Sequence, residues 1–128
     1  MDDSKVTALA LEVNLTPSRF LKIGGNVRLM RNEPYNPNII GSAQKVHFPP
    51  NDEIVYILEP GIYVTEFVEF RPWHWSDPIN YTLQQDKIMR LGAYLTLNLN
   101  PFMALLTLQH RLVLEEGLPI AKLIYWKE

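Results

Sequence analysis

The strongest strand signal in the chain is Ile54-Val55-Tyr56-Ile57-Leu58-Glu59-Pro60-Gly61-Ile62-Tyr63-Val64-Thr65-Glu66-Phe67-Val68-Glu69-Phe70. β-Branched and aromatic residues, which are enriched in strands, fill the runs 54–58 and 62–70. Between the runs, Pro60 presets φ and Gly61 permits a chain reversal. The pattern therefore predicts two strands paired with each other across this turn. A similar turn with apolar flanks recurs at 114–120, so we expect two similar hairpins.

Other segments carry the same kind of signal. Apolar residues alternate over 7–15, which is the period of a half-buried strand. Further strands are predicted over 20–31, 95–99, 104–114 and 120–126, separated by glycine, proline and asparagine. Residues 32–52 contain four prolines and several turn-forming residues, which favours a long ordered loop or arm.

One short helix is predicted near 79–91. Asp77 and Pro78 are typical of a helix start, and Gly92 can end the helix. Many short strands with so little helix indicate an all-β fold, an antiparallel sandwich or barrel. No domain boundary is visible, so residues 1–128 are expected to form a single domain.

Composition excludes several classes of function. The chain has 128 residues, no cysteine and a net charge of −2, so thiolate metal sites and nonspecific binding to nucleic acid are not expected. No apolar run is long enough for a membrane span, and residues 1–5 lack the pattern of a signal peptide. A cytoplasmic location is therefore expected. The three histidines show no metal-ligand spacing, so no metal site is predicted.

Two tryptophans lie close together in Arg71-Pro72-Trp73-His74-Trp75. Large amphipathic rings in a loop can cover a protein interface or stack on a base. They can also anchor a loop on its own core, which is the more frequent case. Trp73, His74 and Trp75 are therefore candidates for an interaction site, with core anchoring as the alternative.

The closing segment resembles a known family. Leu114-Glu115-Glu116-Gly117-Leu118-Pro119-Ile120-Ala121-Lys122-Leu123-Ile124-Tyr125 is similar to the closing strand pair of the dUTPase and dCTP deaminase superfamily, which reads L-x-P-G-M-x-I-A-Q-L-V-F. Leu58-Glu59-Pro60-Gly61 resembles that family's central hairpin, and Ile88-Met89-Arg90-Leu91-Gly92 resembles the end of its helix R-S-S-L-A-R-L-G. The resemblance implies a β-clip fold, or distorted barrel, assembled as a homotrimer with nucleotide pockets between subunits. It also implies catalysis by a carboxylate, a water molecule and Mg²⁺.

The chain departs from the family pattern where the chemistry would occur. The family's R-S-S falls on Gln85-Asp86-Lys87, so a retained ligand pocket would use Gln85, Asp86, Lys87 and Arg90. The two catalytic carboxylates fall on Asn100 and Gln109. An amide has no proton-accepting state near pH 7 and cannot act as a general base.

These observations predict a non-catalytic, homotrimeric protein with a binding or assembly role and no cofactor. A further part of the hypothesis is that the protein retains a pocket for a nucleotide-like ligand. The apolar run 102–108 supports an oligomer because it exceeds what one small core covers. One alternative is an active nucleoside triphosphate pyrophosphatase or deaminase with displaced catalytic residues, which would use Mg²⁺ and for which Asp77, Asp86, Lys87 and Arg90 are the candidates. Another is a β-clip protein of the viral capsid decoration type, which would be associated with virions.

Overall fold

The computed structural model describes residues 10–24, 38–69, 79–99 and 102–127. Within these ranges, the chain has eleven strands and one helix of a single turn. The strands form three sheets in which all strand pairs are antiparallel. The elements are β1 (Leu11–Leu15), β2 (Pro17–Ile23), β3 (Ile39–Ser42), β4 (Gln44–Phe48), β5 (Glu53–Leu58), β6 (Gly61–Phe67), β7 (Ile79–Gln84), α1 (Asp86–Met89), β8 (Ala93–Leu99), β9 (Phe102–Leu108), β10 (Leu112–Glu115) and β11 (Ala121–Lys127). The predicted all-β class with one short helix is confirmed.

Each sheet combines strands that are distant in sequence. The largest has five strands in the order β3-β2-β6-β9-β8. Two smaller sheets have the orders β1-β11-β7 and β10-β5-β4. Long-range pairing of this kind requires many chain reversals, which explains the frequent proline and glycine residues between the strands.

The three sheets share one hydrophobic core. Each contributes a leucine with no exposed surface, namely Leu123 on β11, Leu58 on β5 and Leu106 on β9. Phe20 packs edge-on against the rings of Tyr56 and Tyr63, with ring centroids 5.2 and 6.3 Å apart, and so joins the five-stranded sheet to β5. Such aromatic pairs stabilise a fold by about 0.5–1.5 kcal/mol beyond the area they bury.

The predicted pairing across Glu59-Pro60-Gly61 is wrong. β5 pairs with β10 and β4, whereas β6 pairs with β2 and β9. The turn at Glu116-Gly117 likewise leads from β10 in one sheet to β11 in another. Both turns therefore carry the chain between sheets, and the residues on either side of the first turn, Leu58 and Tyr63, pack in the same core from different sheets. The predicted strand over 104–114 is also divided, with β9 and β10 in different sheets.

The helix is confirmed but is shorter than predicted. Residues 79–84 form β7, which pairs with β11 from Ile79↔Lys127 to Gln84↔Lys122. Pairing with a neighbouring strand outweighs the local helix signal there. Gly92 follows the helix with φ +79° and donates its backbone N–H to the Met89 carbonyl, as its predicted role requires. No helix in the described ranges is long and apolar enough to cross a membrane.

The prediction of a loop over 32–52 is also wrong in part, since β3 and β4 lie within it. β4 pairs with β5 from Gln44↔Ile57 to Phe48↔Glu53, and the turn between them holds the adjacent prolines Pro49 and Pro50. The prolines thus lie between strands, where a missing N–H disrupts no ladder. Of the predicted strand over 20–31, residues 20–23 belong to β2 and 25–31 lie outside the described residues.

Thr65 offers a test of core packing. Its side chain is 4% exposed, and no described group forms a hydrogen bond with its hydroxyl. A buried hydroxyl without a partner costs about 1–3 kcal/mol, and valine has nearly the same shape. We expect Thr65→Val to raise the free energy of unfolding by about 1 kcal/mol in urea denaturation. Thr82→Val, at an exposed position of β7, is the matched control and should change the free energy of unfolding by less than about 0.5 kcal/mol. A less stable Thr65→Val variant would contradict the prediction.

Candidate functional site

A polar cavity lies at the start of α1, where the sequence predicted a ligand pocket. Its volume is about 280 Å³. It opens between the outer side of the sheet β1-β11-β7 and the first turn of α1. The lining residues are Asn14, Gln84, Gln85, Asp86, Lys87, Pro119, Ile120, Ala121 and Lys122. Three of the four predicted ligand-binding residues, Gln85, Asp86 and Lys87, therefore lie around one cavity.

Strand register places three further polar side chains in this cavity. Asn14 on β1 lies opposite Lys122 on β11, and Lys122 lies opposite Gln84 on β7. Residues directly opposite each other in a sheet project to the same side, so the three form a row across the sheet. The Lys122 ammonium is also 3.5 Å from the Glu12 carboxylate. Sequence reasoning missed this row because its members are far apart in the chain.

Gln85 has a structural role in this arrangement. Its amide Nε2 donates to the Leu95 carbonyl at 3.0 Å, and its Oε1 accepts the Leu95 backbone N–H at 2.7 Å. The side chain thereby continues the hydrogen bonding of edge strand β8 and is buried. Both polar atoms of the Gln85 side chain are hydrogen-bonded to the Leu95 backbone. A molecule in the cavity would therefore contact the side chains of the residues next to Gln85, and not its amide group.

The other predicted residues lie apart from the cavity. Arg90 is exposed in the turn after α1 and does not line it. Gln109 is exposed in the connection from β9 to β10, where its backbone N–H donates to the Gly92 carbonyl. Asn100 and the predicted interaction residues Trp73, His74 and Trp75 lie outside the described residues. Their roles stay predictions.

The side chains around the cavity favour binding over proton transfer. Lys87 and Lys122 supply ammonium groups, Asn14 and Gln84 supply amides, and Asp86 is the single carboxylate of the lining. Ammonium and amide groups donate hydrogen bonds to anionic oxygens. Among the described residues, no group of three or more histidine, aspartate or glutamate side chains could hold a metal ion.

A second candidate surface is the outward side of the five-stranded sheet. Its inward side is buried, yet apolar residues also occupy much of the outward side. Register aligns Ile39, Ile23, Ile62, Thr107 and Tyr94 in one row, and Leu21, Val64, Leu105 and Thr96 in the next. We call the apolar members of this surface the large apolar face, namely Leu21, Ile23, Ile39, Ile62, Val64, Tyr94, Met103 and Leu105.

The large apolar face is accessible to solvent. Ile62, on the central strand β6, is 42% exposed, and Tyr94, on the edge strand β8, is 51% exposed. A shallow depression of about 280 Å³ lies over β8 and β9, lined by Thr96, Leu97, Asn98, Met103 and Leu105. Sequence analysis noted the apolar run in β9, but only the sheet order shows that β2 and β6 extend the same surface.

An ion pair borders the large apolar face. Arg19 on β2 lies opposite Glu66 on β6, and its guanidinium donates two hydrogen bonds to the Glu66 carboxylate at 2.7 and 2.8 Å. These hydrogen bonds and the attraction between the charges lower the pKa of Glu66 below its ordinary value and raise the pKa of Arg19. The pair leaves this border with no net charge.

The role of Gln85 can be tested against its neighbour. Gln85→Ala leaves the backbone N–H and carbonyl of Leu95 without their side-chain partner, so we expect the free energy of unfolding to fall by about 2 kcal/mol. Gln84→Ala removes the same side chain from an exposed position and should change the free energy of unfolding by less than about 0.5 kcal/mol. Urea denaturation of both variants measures the difference. Equal effects would contradict the structural role of Gln85.

The motifs that resemble the dUTPase superfamily lie at three places in the described chain. Residues 58–61 span the end of β5, the two-residue connection and the start of β6. Residues 88–92 contain the end of α1 and the turn after it, and residues 114–125 span the end of β10 and most of β11. Searches of protein-family models, curated proteins and solved structures found no match to this chain.

Proposed function

We propose that this protein is a non-catalytic assembly module whose copies associate as a homotrimer through the large apolar face. The observation that carries the proposal is that three neighbouring strands, β2, β6 and β9, present apolar side chains on the side turned away from the core. An antiparallel sheet with one solvated face normally alternates apolar and polar residues. Apolar residues on both sides are typical of a sheet that is covered on both sides.

The continuity of the large apolar face supports an interface. Strands β2, β6 and β9 are neighbours, and Ile23 and Leu21 align with Ile62 and Val64, and Val64 with Leu105. The polar residues Thr96, Thr107 and the Arg19–Glu66 pair lie beside this apolar centre. Contiguous exposed apolar residues of this kind often mark an interaction site. Removing this surface from water would stabilise an assembly by roughly 25 cal/mol for each Å² of apolar area.

The trimer and the lack of catalysis are supported by the sequence. The resemblance to the dUTPase superfamily implies three subunits and a β-clip fold, and the positions of its catalytic carboxylates hold Asn100 and Gln109. The cavity beside α1 offers the single carboxylate of Asp86, whose neighbours are lysines and amides. A binding or assembly role fits these side chains better than hydrolysis does.

Self-association can be tested with Ile62→Lys. The substitution places an ammonium on the central strand of the large apolar face, where a partner would have to desolvate it. Wild-type protein should sediment at about three chains per particle. The variant should associate roughly 30-fold more weakly or more, which corresponds to about 2 kcal/mol. Sedimentation velocity over a range of concentrations measures both.

Leu91→Lys is the matched control. Leu91 is an exposed apolar residue of the same size as Ile62, but it lies in the turn after α1 and outside the large apolar face. This variant should keep the wild-type assembly, and circular dichroism should show that both variants keep the β fold. A wild-type protein that is monomeric at micromolar concentration, or an Ile62→Lys variant with wild-type assembly, would refute the proposal.

The cavity supports a second candidate function, the binding of a small anionic ligand such as a nucleotide. Lys87 and Lys122 supply two ammonium groups beside the Asp86 carboxylate, with the Glu12 carboxylate 3.5 Å from Lys122, and Asn14 and Gln84 supply donors and acceptors. Calorimetric titration with dUTP and dCTP should show binding that the double variant Lys87→Ala, Lys122→Ala weakens about tenfold or more, since a hydrogen bond to a charged group contributes about 1.5–3 kcal/mol. Lys45→Ala, on β4, is the control. No binding, or equal binding by all proteins, would exclude this function.

A further inference from the structure

The edge strand β8 has a composition that favours pairing with a strand of another molecule. Its sequence over Ala93–Leu99, Ala-Tyr-Leu-Thr-Leu-Asn-Leu, contains no charged residue, no proline and no glycine. The free edge of a long, uncharged strand presents backbone N–H and carbonyl groups that can pair with a second chain. Proteins protect such edges with charged residues, with proline, with short strands or with a covering segment.

The other sheet edges in the described part of the chain differ from β8. Charged residues occur on β1, β4 and β10, namely Glu12, Lys45 and Glu115. The edge strand β3 has only four residues, and one of them is Gly41. The second long edge strand without a charged residue is β7. Neither charge nor short length protects β8, which leaves protection by a covering segment.

Side chains of β7 and of the residue after it occupy the edge of β8. The Gln85 amide donates to the Leu95 carbonyl and accepts from the Leu95 N–H. A residue of a paired antiparallel strand exchanges two hydrogen bonds in the same way. The Tyr81 hydroxyl donates to the Leu97 carbonyl at 3.2 Å. These three hydrogen bonds therefore take the place of those that a neighbouring strand would make.

The pairing of β7 makes it suitable as a cover. β7 pairs with β11 along one edge, and no other strand of the described residues pairs with it. Tyr81 and Leu83 lie opposite the buried residues Tyr125 and Leu123, so they project to the inward side of the sheet. Strands at the edge of a sheet open at a lower free energy than central strands do. The hydrogen bonds to β8 oppose this opening.

We propose that β7 is a cover over the edge of β8, held there by Gln85 and Tyr81, which prevents β8 from pairing with β8 of a second copy. Two identical edges related by a two-fold axis pair antiparallel, and β8 has no charges that would repel each other across that axis. The inference goes beyond the proposed association through the large apolar face, because that contact uses a side of the sheet and this one uses an edge.

The double variant Gln85→Met, Tyr81→Phe tests the inference. It removes all three hydrogen bonds but nearly preserves the size of both side chains. The Leu95 amide should exchange its hydrogen about tenfold faster or more in dilute protein, because β7 opens more often. At high micromolar concentration, the variant should form particles with about twice as many chains as the wild type, since each exposed edge pairs with one other. Hydrogen exchange followed by NMR and sedimentation velocity measure the two effects.

Two control variants separate the opening of this edge from other effects. Gln84→Met adds the same side chain at the neighbouring position, which does not contact Leu95, and should keep the wild-type exchange rate and particle size. Leu114→Ala lowers the stability of the fold through the core, beneath a different sheet. It should not produce the doubled particle, because the hydrogen bonds between β7 and β8 remain intact.

Three results would overturn the inference. They are a double variant with the wild-type particle size at every concentration, a Leu95 amide that exchanges at the wild-type rate, and a Leu114→Ala variant that doubles in the same way. If the double variant loses its β fold by circular dichroism, Gln85→Met alone is measured with the same expected results. Association through the large apolar face is judged from the wild type and Ile62→Lys, so either proposal can fail while the other stands.

Discussion

Burial of one shared hydrophobic core holds this fold together. Leu123, Leu58 and Leu106 come from three different sheets, and each has no exposed surface. Removing such a side chain typically costs about 2–5 kcal/mol, a large part of the stability of a small domain. The sheets exchange no strands, so this shared core fixes their relative positions together with hydrogen bonds such as those from the Tyr56 hydroxyl to the Ser18 carbonyl and from the Tyr81 hydroxyl to the Leu97 carbonyl. The surfaces turned away from it then follow from the register of each sheet.

The connections between sheets determine which residues meet. Glu59-Pro60-Gly61, Gln109-His110-Arg111 and Glu116-Gly117 each carry the chain from one sheet to another. Strand partners are therefore distant in sequence, as in β5 with β10 and β1 with β11. The polar cavity depends on this arrangement, because it joins Asn14 near one end of the chain to Lys122 near the other. The same arrangement brings β2, β6 and β9 side by side and so assembles the large apolar face.

A sheet with apolar residues on both sides exposes apolar area to water when only one side packs on the core. The inward residues of β6 and β9 are needed for the core, but Ile62, Val64, Met103 and Leu105 are not. Exposed apolar area of this kind lowers the solubility of an isolated domain, and association with a partner removes that penalty. In the proposed assembly, the exposed Arg19–Glu66 ion pair would lie at the hydrated border of the interface.

Sequence alone determined the class of the fold, because β-branched and aromatic runs separated by glycine and proline have few alternatives to short strands. It also predicted a short helix that stops before Gly92, where the backbone adopts a positive φ, although the start of that helix was wrong because residues 79–84 pair with β11. The pairing of strands was decided only in three dimensions, since local residues do not encode which distant strand offers the best packing. Gln84 and Gln85 show the limit clearly. Two identical neighbouring side chains differ in role because β7 ends between them, so that one faces solvent and the other reaches the backbone of Leu95.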